Sequence, residues 1–288
     1  LSNRVHVKIC GITNLEDALA AVEAGANALG FVFYKKSPRY ISPKKAARII
    51  YCLPPFVNAV GLFVDEELED VINVMKQVPL TCLQFHGAEP PAYCRLFSGY
   101  AYNELIRDYS NSNYSGDFSN VYARYSHGSN FLFKPPHSKK MHPWFKNGWG
   151  IPWIKALAVR RGLDLDRAIR AFTFSGARGI LLDAWHPDLK GGTGVSFDWN
   201  LFPSREEFER NSLSGLPVQL ILAGGLTSQN VTEAIEVTKT ASVDVSGGVE
   251  RIDLVTRERL KGLKDPFEMK RFIEAVDAVR LRKISYGS

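Results

Sequence analysis

The chain has 288 residues, 36 Lys and Arg against 30 Asp and Glu, a net charge of +6 and 45% hydrophobic side chains. That length builds one full core or two modest ones. No run approaches the roughly 18–20 apolar residues of a membrane span, no secretory signal pattern opens the chain, and the positive balance favours an anionic partner.

Short apolar runs read as strands at Val5–Cys10, Ala28–Phe33, Ala59–Val64, Thr81–Phe85, Pro152–Leu157, Gly179–Asp183, Gln219–Ala223 and Ser242–Ser246. Between them, amphipathic stretches read as helices: Leu15–Ala24, Pro43–Tyr51, Glu66–Gln77, Pro91–Phe97, Leu165–Thr173, Ser228–Lys239 and Pro266–Val279. Such alternation predicts parallel pairing with right-handed crossovers. Eight units predict a single-domain (β/α)8 TIM barrel over residues 1–288, a fold of about 250 residues. An open doubly wound sheet ranks lower because no GxGxxG follows the first strand.

Residues 98–150 break the rhythm. They are rich in Ser, Asn, Gly, Tyr and Phe, with Lys139 and Lys140 near Trp144, Phe145 and Trp149. They fall between helix 4 and strand 5, so an insertion there is expected on the stability face, away from the catalytic mouth.

The four cysteines show no CxxC pair and no metal-ligand spacing. They read as free thiols of a reducing, cytoplasmic compartment; Cys52, Cys82 and Cys94 are expected in the core. The histidines do not cluster with acids, so no metal is expected. A phosphorylated small molecule satisfies the basic charge, and the absence of a long Lys/Arg block argues against nucleic acid.

Polar residues gather at the strand ends. Strand one ends in Cys10, directly before Gly11, where a thiol is presented rather than packed away. Strand two leads to Ser37-Pro38-Arg39, strand four to Gln84-Phe85-His86-Gly87, and strand six to Asp183 and then Gly191-Gly192-Thr193-Gly194. Strand seven ends in Ala223-Gly224-Gly225-Leu226, and strand eight runs Asp244-Val245-Ser246-Gly247-Gly248-Val249-Glu250. All converge on one rim of a barrel. Glycine pairs let backbone N–H groups approach a phosphate closely, and barrels often bind phosphate at the loops after strands seven and eight.

These segments, in this order and with Phe197-Asp198-Trp199 and Lys264-Asp265, resemble the phosphoribosylanthranilate isomerase family of tryptophan biosynthesis. The resemblance covers nearly the whole chain except residues 98–150. It implies an Amadori rearrangement of N-(5-phosphoribosyl)anthranilate to 1-(2-carboxyphenylamino)-1-deoxyribulose 5-phosphate by general acid–base catalysis, without a cofactor. It implies Cys10 as the base, Asp183 as the acid and Arg39 facing the anthranilate carboxylate. The phosphate falls to the loops with Gly191, Gly192, Gly224, Gly225, Ser246 and Gly247, and Asp244 is expected to organise the last of them. His86 either faces substrate or holds a loop. The partner is a small phosphosugar; a monomer and a homodimer both stay open.

Two conditions follow. A free thiol has a pKa of about 8.5, so Cys10 needs help to ionise at neutral pH, and strand alternation leaves Lys8 open as a helper. Asp183 must hold a proton, which from about 3.9 takes a shift of roughly three units. The rivals are the related histidine-pathway isomerase, whose two aspartates Cys10 argues against, and a noncatalytic binding barrel. Three stretches depart from the family: residues 98–150, the acid's own loop with Trp185-His186-Pro187, and a longer segment between Arg251 and Gly262.

Overall fold

The computed structural model describes residues 4–98, 150–159, 164–184, 198–204, 208 and 218–285. Eight parallel strands close into a barrel in sequence order: β1 (His6–Cys10), β2 (Ala28–Val32), β3 (Asn58–Phe63), β4 (Cys82–Phe85), β5 (Trp153–Val159), β6 (Gly179–Ala184), β7 (Gln219–Leu222) and β8 (Ser242–Val245). Each starts or ends within two residues of its predicted bounds. Most strand residues are buried on both faces, as a sheet covered by helices outside and packed side chains inside requires.

The helices are α1 (Leu15–Ala24), α2 (Pro43–Ile50), α3 (Leu68–Gln77), α4 (Pro91–Arg95), α5 (Leu165–Phe174), α6 (Val231–Thr238) and α7 (Pro266–Ser285). Local chemistry starts three of them. The Asn14 side chain accepts from Asp17 N–H, Ser42 from Lys45 N–H ahead of Pro43, and Asp164 from Arg167 N–H, each satisfying an orphan amide of the first turn. Helix α4 is shorter than the sequence suggests and passes into a 3-10 turn, Leu96–Ser98.

Odd and even positions of the strands separate two layers. Val7, Ile9, Leu29, Phe31, Phe63, Phe85 and Trp153 pack outward against the helices in the main core. Lys8, Cys10, Val32, Leu62, Gln84 and Asp183 lie on the other face, inside the barrel, with Ala156, Leu181 and Ile221 beneath them. Among the described residues no helix is long and apolar enough to cross a membrane.

The body of the 98–150 segment lies outside the described residues, but its stem does not. Ile151 N–H donates to Phe97 O at 2.9 Å, and Trp153 Nε1 donates to Ser98 Oγ at 2.7 Å. The chain leaves and re-enters at the end of α4 and the start of β5, opposite the strand ends that carry the polar residues.

The stretch from Arg251 to Gly262, read only as longer than in the family, lies in an antiparallel hairpin of β9 (Glu250–Ile252) and β10 (Arg259–Lys264). Its turn is set by Asp253, whose carboxylate accepts from Val255 and Thr256 N–H, and by Arg257 at a φ of 61°. Cys52 is exposed rather than part of the core, because it lies in the turn that ends α2 on the outer surface; Cys82 is half-buried and Cys94 buried.

Candidate active site

The mouth of the barrel holds an open cavity lined by Cys10, Arg39, His86, Asp183, Gly224, Gly225, Asp244, Ser246 and Gly247, with Tyr34, Leu62 and Gln84. Of the candidate residues, Gly191 and Gly192 lie outside the described residues, as does the Trp185-His186-Pro187 loop; the structure brings all the others together.

Cys10 ends β1 and pairs in register with Gly30 of β2. A Cβ on Gly30 would stand 2.7 Å from Cys10 Sγ, so the glycine makes the space the thiol occupies. Burial pushes the thiol above its ordinary range. Lys8 and Lys264 oppose the rise, Asp244 adds to it, and burial prevails. Lys8 is the inward neighbour of Cys10 on β1, and its Nζ lies 2.8 Å from Asp244 Oδ1 on β8. Burial works against the Lys8 ammonium, yet Asp244 and then Cys10 outweigh it and hold it above its usual value. The Lys8 charge is therefore shared with Asp244 before it reaches the thiol. Asp244, expected to organise the phosphate loop, makes a buried ion pair with Lys8 just ahead of that loop.

Arg39 is turned inward after Ser37, whose Oγ accepts from Arg39 N–H. Its Nε and Nη2 donate to Glu250 Oε1 and Oε2 at 2.6 and 2.8 Å. This bidentate pair fixes one edge of the guanidinium and leaves Nη1 without an acceptor among the described residues. Glu250 also accepts from Gly262 N–H and lies 3.4 Å from Lys264 Nζ. Burial would raise the Glu250 carboxyl, but the Arg39 hydrogen bonds and Lys264 hold it below its ordinary value. Burial lowers Lys264 to about 8; Glu250 opposes and Arg39 adds to the fall. Glu250 and Lys264 stand at the two ends of the hairpin, in the motifs that flank the longer segment, and form the floor under Arg39.

Asp183 is the next-to-last residue of β6 and is 6% exposed. Its Oδ1 accepts from Ala184 N–H at 2.8 Å, and its Oδ2 lies 3.2 Å from His86 Nε2. His86 Nδ1 in turn lies 2.9 Å from Gln84 Nε2. The loop that carries His86 is braced from behind. Lys155 Nζ donates to Phe85 O, Gly87 O and Glu89 Oε2, and Glu89 accepts from Asp65 and Gly87 N–H. Lys155, on the outward face of β5, thus ties this loop to the barrel through a buried ion pair.

On the far side of Asp183, Gly224 has a φ of 86° and Gly225 a φ of 62°. A Cβ on Gly224 would strike Asp183 Oδ1 at 2.9 Å and Ala184, so only glycine keeps the loop against the carboxylate. The N–H groups of Gly224 and Gly225 have no backbone acceptor among the described residues. Opposite them, Ser246 leads into the 3-10 turn Gly247–Val249. Unspent amides beside a glycine-rich turn make a concave anion site.

Sequence reading missed Gln84, Glu250 and Lys264 as functional groups. Gln84 was detectable: it lies two residues before His86 on one strand, and a period of two puts both on one face. The Arg39–Glu250 pair spans 211 positions and has no local signal.

Residues 7–134 and 137–275 match the model of the N-(5'phosphoribosyl)anthranilate (PRA) isomerase family. An N-(5'-phosphoribosyl)anthranilate isomerase of Pseudomonas putida is 41% identical over 274 residues, covering 95% of this chain and 98% of its own. Among solved structures, phosphoribosyl anthranilate isomerase from Thermotoga maritima is 37% identical, with a TM-score of 0.62 over 95% of this chain and 99% of its own. A phosphoribosyl anthranilate isomerase in complex with reduced 1-(o-carboxyphenylamino)-1-deoxyribulose 5-phosphate is 36% identical, with a TM-score of 0.60 and the same coverage.

Proposed function

The chain belongs to the N-(5'-phosphoribosyl)anthranilate isomerase family, and from that premise we propose that Cys10 and Asp183 divide the proton transfers of its reaction between them. The reaction is the Amadori rearrangement of N-(5-phosphoribosyl)anthranilate to 1-(2-carboxyphenylamino)-1-deoxyribulose 5-phosphate, a step of tryptophan biosynthesis. Oxidation at C2′ is balanced by reduction at C1′ within one molecule, so the chemistry needs proton transfers and no external redox partner.

Asp183 gives its proton to the furanose ring oxygen as the C1′–O bond breaks, leaving an iminium between C1′ and the anthranilate nitrogen. The Cys10 thiolate then takes the C2′ proton, and the electron pair of that C–H bond neutralises the iminium. The resulting enolamine becomes the ketose. Arg39 receives the anthranilate carboxylate on the edge that Glu250 leaves open, and the amides of Gly224, Gly225 and the turn after Ser246 receive the phosphate.

The observation that carries this reading is the placement of a buried thiol on β1 and a buried carboxylate on β6 in one cavity with those unspent donors. The productive pair, thiolate and carboxylic acid, holds as many protons as thiol and carboxylate. Burial favours the thiol at Cys10, and the Ala184 N–H favours the carboxylate at Asp183. The substrate's developing cation, placed beside Cys10, supplies charge that favours the thiolate. A fluorescence assay that follows loss of phosphoribosylanthranilate tests the reading. Turnover by the purified chain, lost in Cys10→Ser, is expected; no turnover by the wild type overturns it.

A further inference from the structure

The Gln84–His86–Asp183 chain can hold two proton states on the same contacts. Gln84 is fully buried, and its amide nitrogen donates to His86 Nδ1 at 2.9 Å. In this orientation of the amide Nδ1 accepts, which leaves the imidazole proton on Nε2, where it donates to Asp183 Oδ2. A second N–H, from Ala184, already points at Oδ1. Both donors stabilise a carboxylate, the form of Asp183 that has no proton to give. Meanwhile Gln84 Oε1 is buried with no partner among the described residues, a position that ordinarily costs stability.

The idle oxygen has a use in the other state. A half-turn of the Gln84 amide exchanges Nε2 and Oε1. Nδ1 can then carry the proton and donate to Oε1, and His86 Nε2 becomes an acceptor for an O–H on Asp183 Oδ2. The heavy atoms stay in place, and His86 is neutral in both states. The second state holds one proton more than the first: the Nε2 proton crosses to Oδ2, and one from solvent enters at Nδ1. We propose that Gln84 is a positioning residue that, by turning its amide, lets His86 switch tautomer and hold Asp183 in its protonated form. The proposal rests on the reading of Asp183 as the acid. Among the described residues, the other ionisable groups that line the same cavity are Cys10 on β1, Tyr34 and Arg39 after β2, and Asp244 on β8 with its partner Lys8.

The test combines kinetics with NMR of enzyme carrying 15N-labelled histidine, His86 being assigned with His86→Asn. In the wild type, lowering the pH should convert His86 from the Nε2–H to the Nδ1–H neutral tautomer before any imidazolium forms. In Gln84→Met, which keeps the volume and removes the amide, the Nδ1–H form should be absent. In that variant kcat should fall at least tenfold with KM within threefold. His86 remaining Nε2–H, or passing straight to imidazolium in the wild type, overturns the proposal, as does wild-type kcat in a folded Gln84→Met. Normal turnover in Asp183→Asn would instead defeat the acid assignment itself, so the two failures are distinguishable.

Discussion

Adding one methyl group at Gly30 tests how closely the thiol is placed. Gly30 has no positive φ, so alanine is compatible with the backbone. Its Cβ would stand 2.7 Å from Cys10 Sγ and 3.0 Å from Cys10 Cα, where ordinary contact is 3.4–4 Å. The thiol must move by about 1 Å, a misplacement worth about a hundredfold in rate when it affects a reacting group. Overpacking of this kind costs about 1–3 kcal/mol of stability, which a barrel of this size can lose and still fold. Gly30→Ala is therefore expected to lower kcat about a hundredfold in the fluorescence assay. KM should change little, because the thiol holds neither phosphate nor carboxylate. Thermal unfolding and far-UV circular dichroism check that the barrel persists. A folded Gly30→Ala enzyme with kcat within threefold of wild type would refute the claim that the β2 glycine makes room for a reacting thiol.

Arg39→Met should raise KM for phosphoribosylanthranilate at least tenfold and lower Tm, since Glu250 then keeps only Lys264 and Gly262 N–H; an unchanged KM in steady-state kinetics would contradict the carboxylate role. Lys155→Met leaves Glu89 buried without its cation and should cost about 3–5 kcal/mol in urea unfolding; a loss below about 1 kcal/mol would mean the brace behind His86 is idle. Because burial holds the Cys10 thiol above its ordinary value, its thiolate fraction grows with pH and is still growing where an ordinary thiol, at about 8.5, is half ionised. Alkylation of Cys10 by iodoacetamide, followed by peptide mass spectrometry in the ligand-free enzyme, should therefore keep accelerating through pH 9. A plateau below pH 8.5 would contradict this.

The barrel was legible because each unit announces itself locally. The run Val5–Cys10 is apolar at Val5, Val7 and Ile9, and Asn14, Ser42 and Asp164 mark helix starts with side chains that cap within three residues. Cys10 and Asp183 were legible as strand-end groups, since parallel closure brings all such ends to one rim. The partners of these groups were not. Lys8 pairs with Asp244 across 236 positions, and nothing near Lys8 says whether its charge is spent on the thiol or on a carboxylate. The β9–β10 hairpin was hidden because Arg259–Lys264 carries charges on what looks like a solvated stretch, although Lys264 ends with no exposed surface. A lysine drawn into a core by Glu250 is a tertiary effect, invisible to periodicity.

The division of labour between Cys10 and Asp183 is tested most directly by kcat of Cys10→Ala and Asp183→Asn in the phosphoribosylanthranilate assay, with Tm measured on the same samples. Each single variant should lose at least a thousandfold in kcat while the barrel stays folded, since neither side chain supports the fold by its reacting atom. Activity within tenfold of wild type in either variant would contradict the role assigned to that residue.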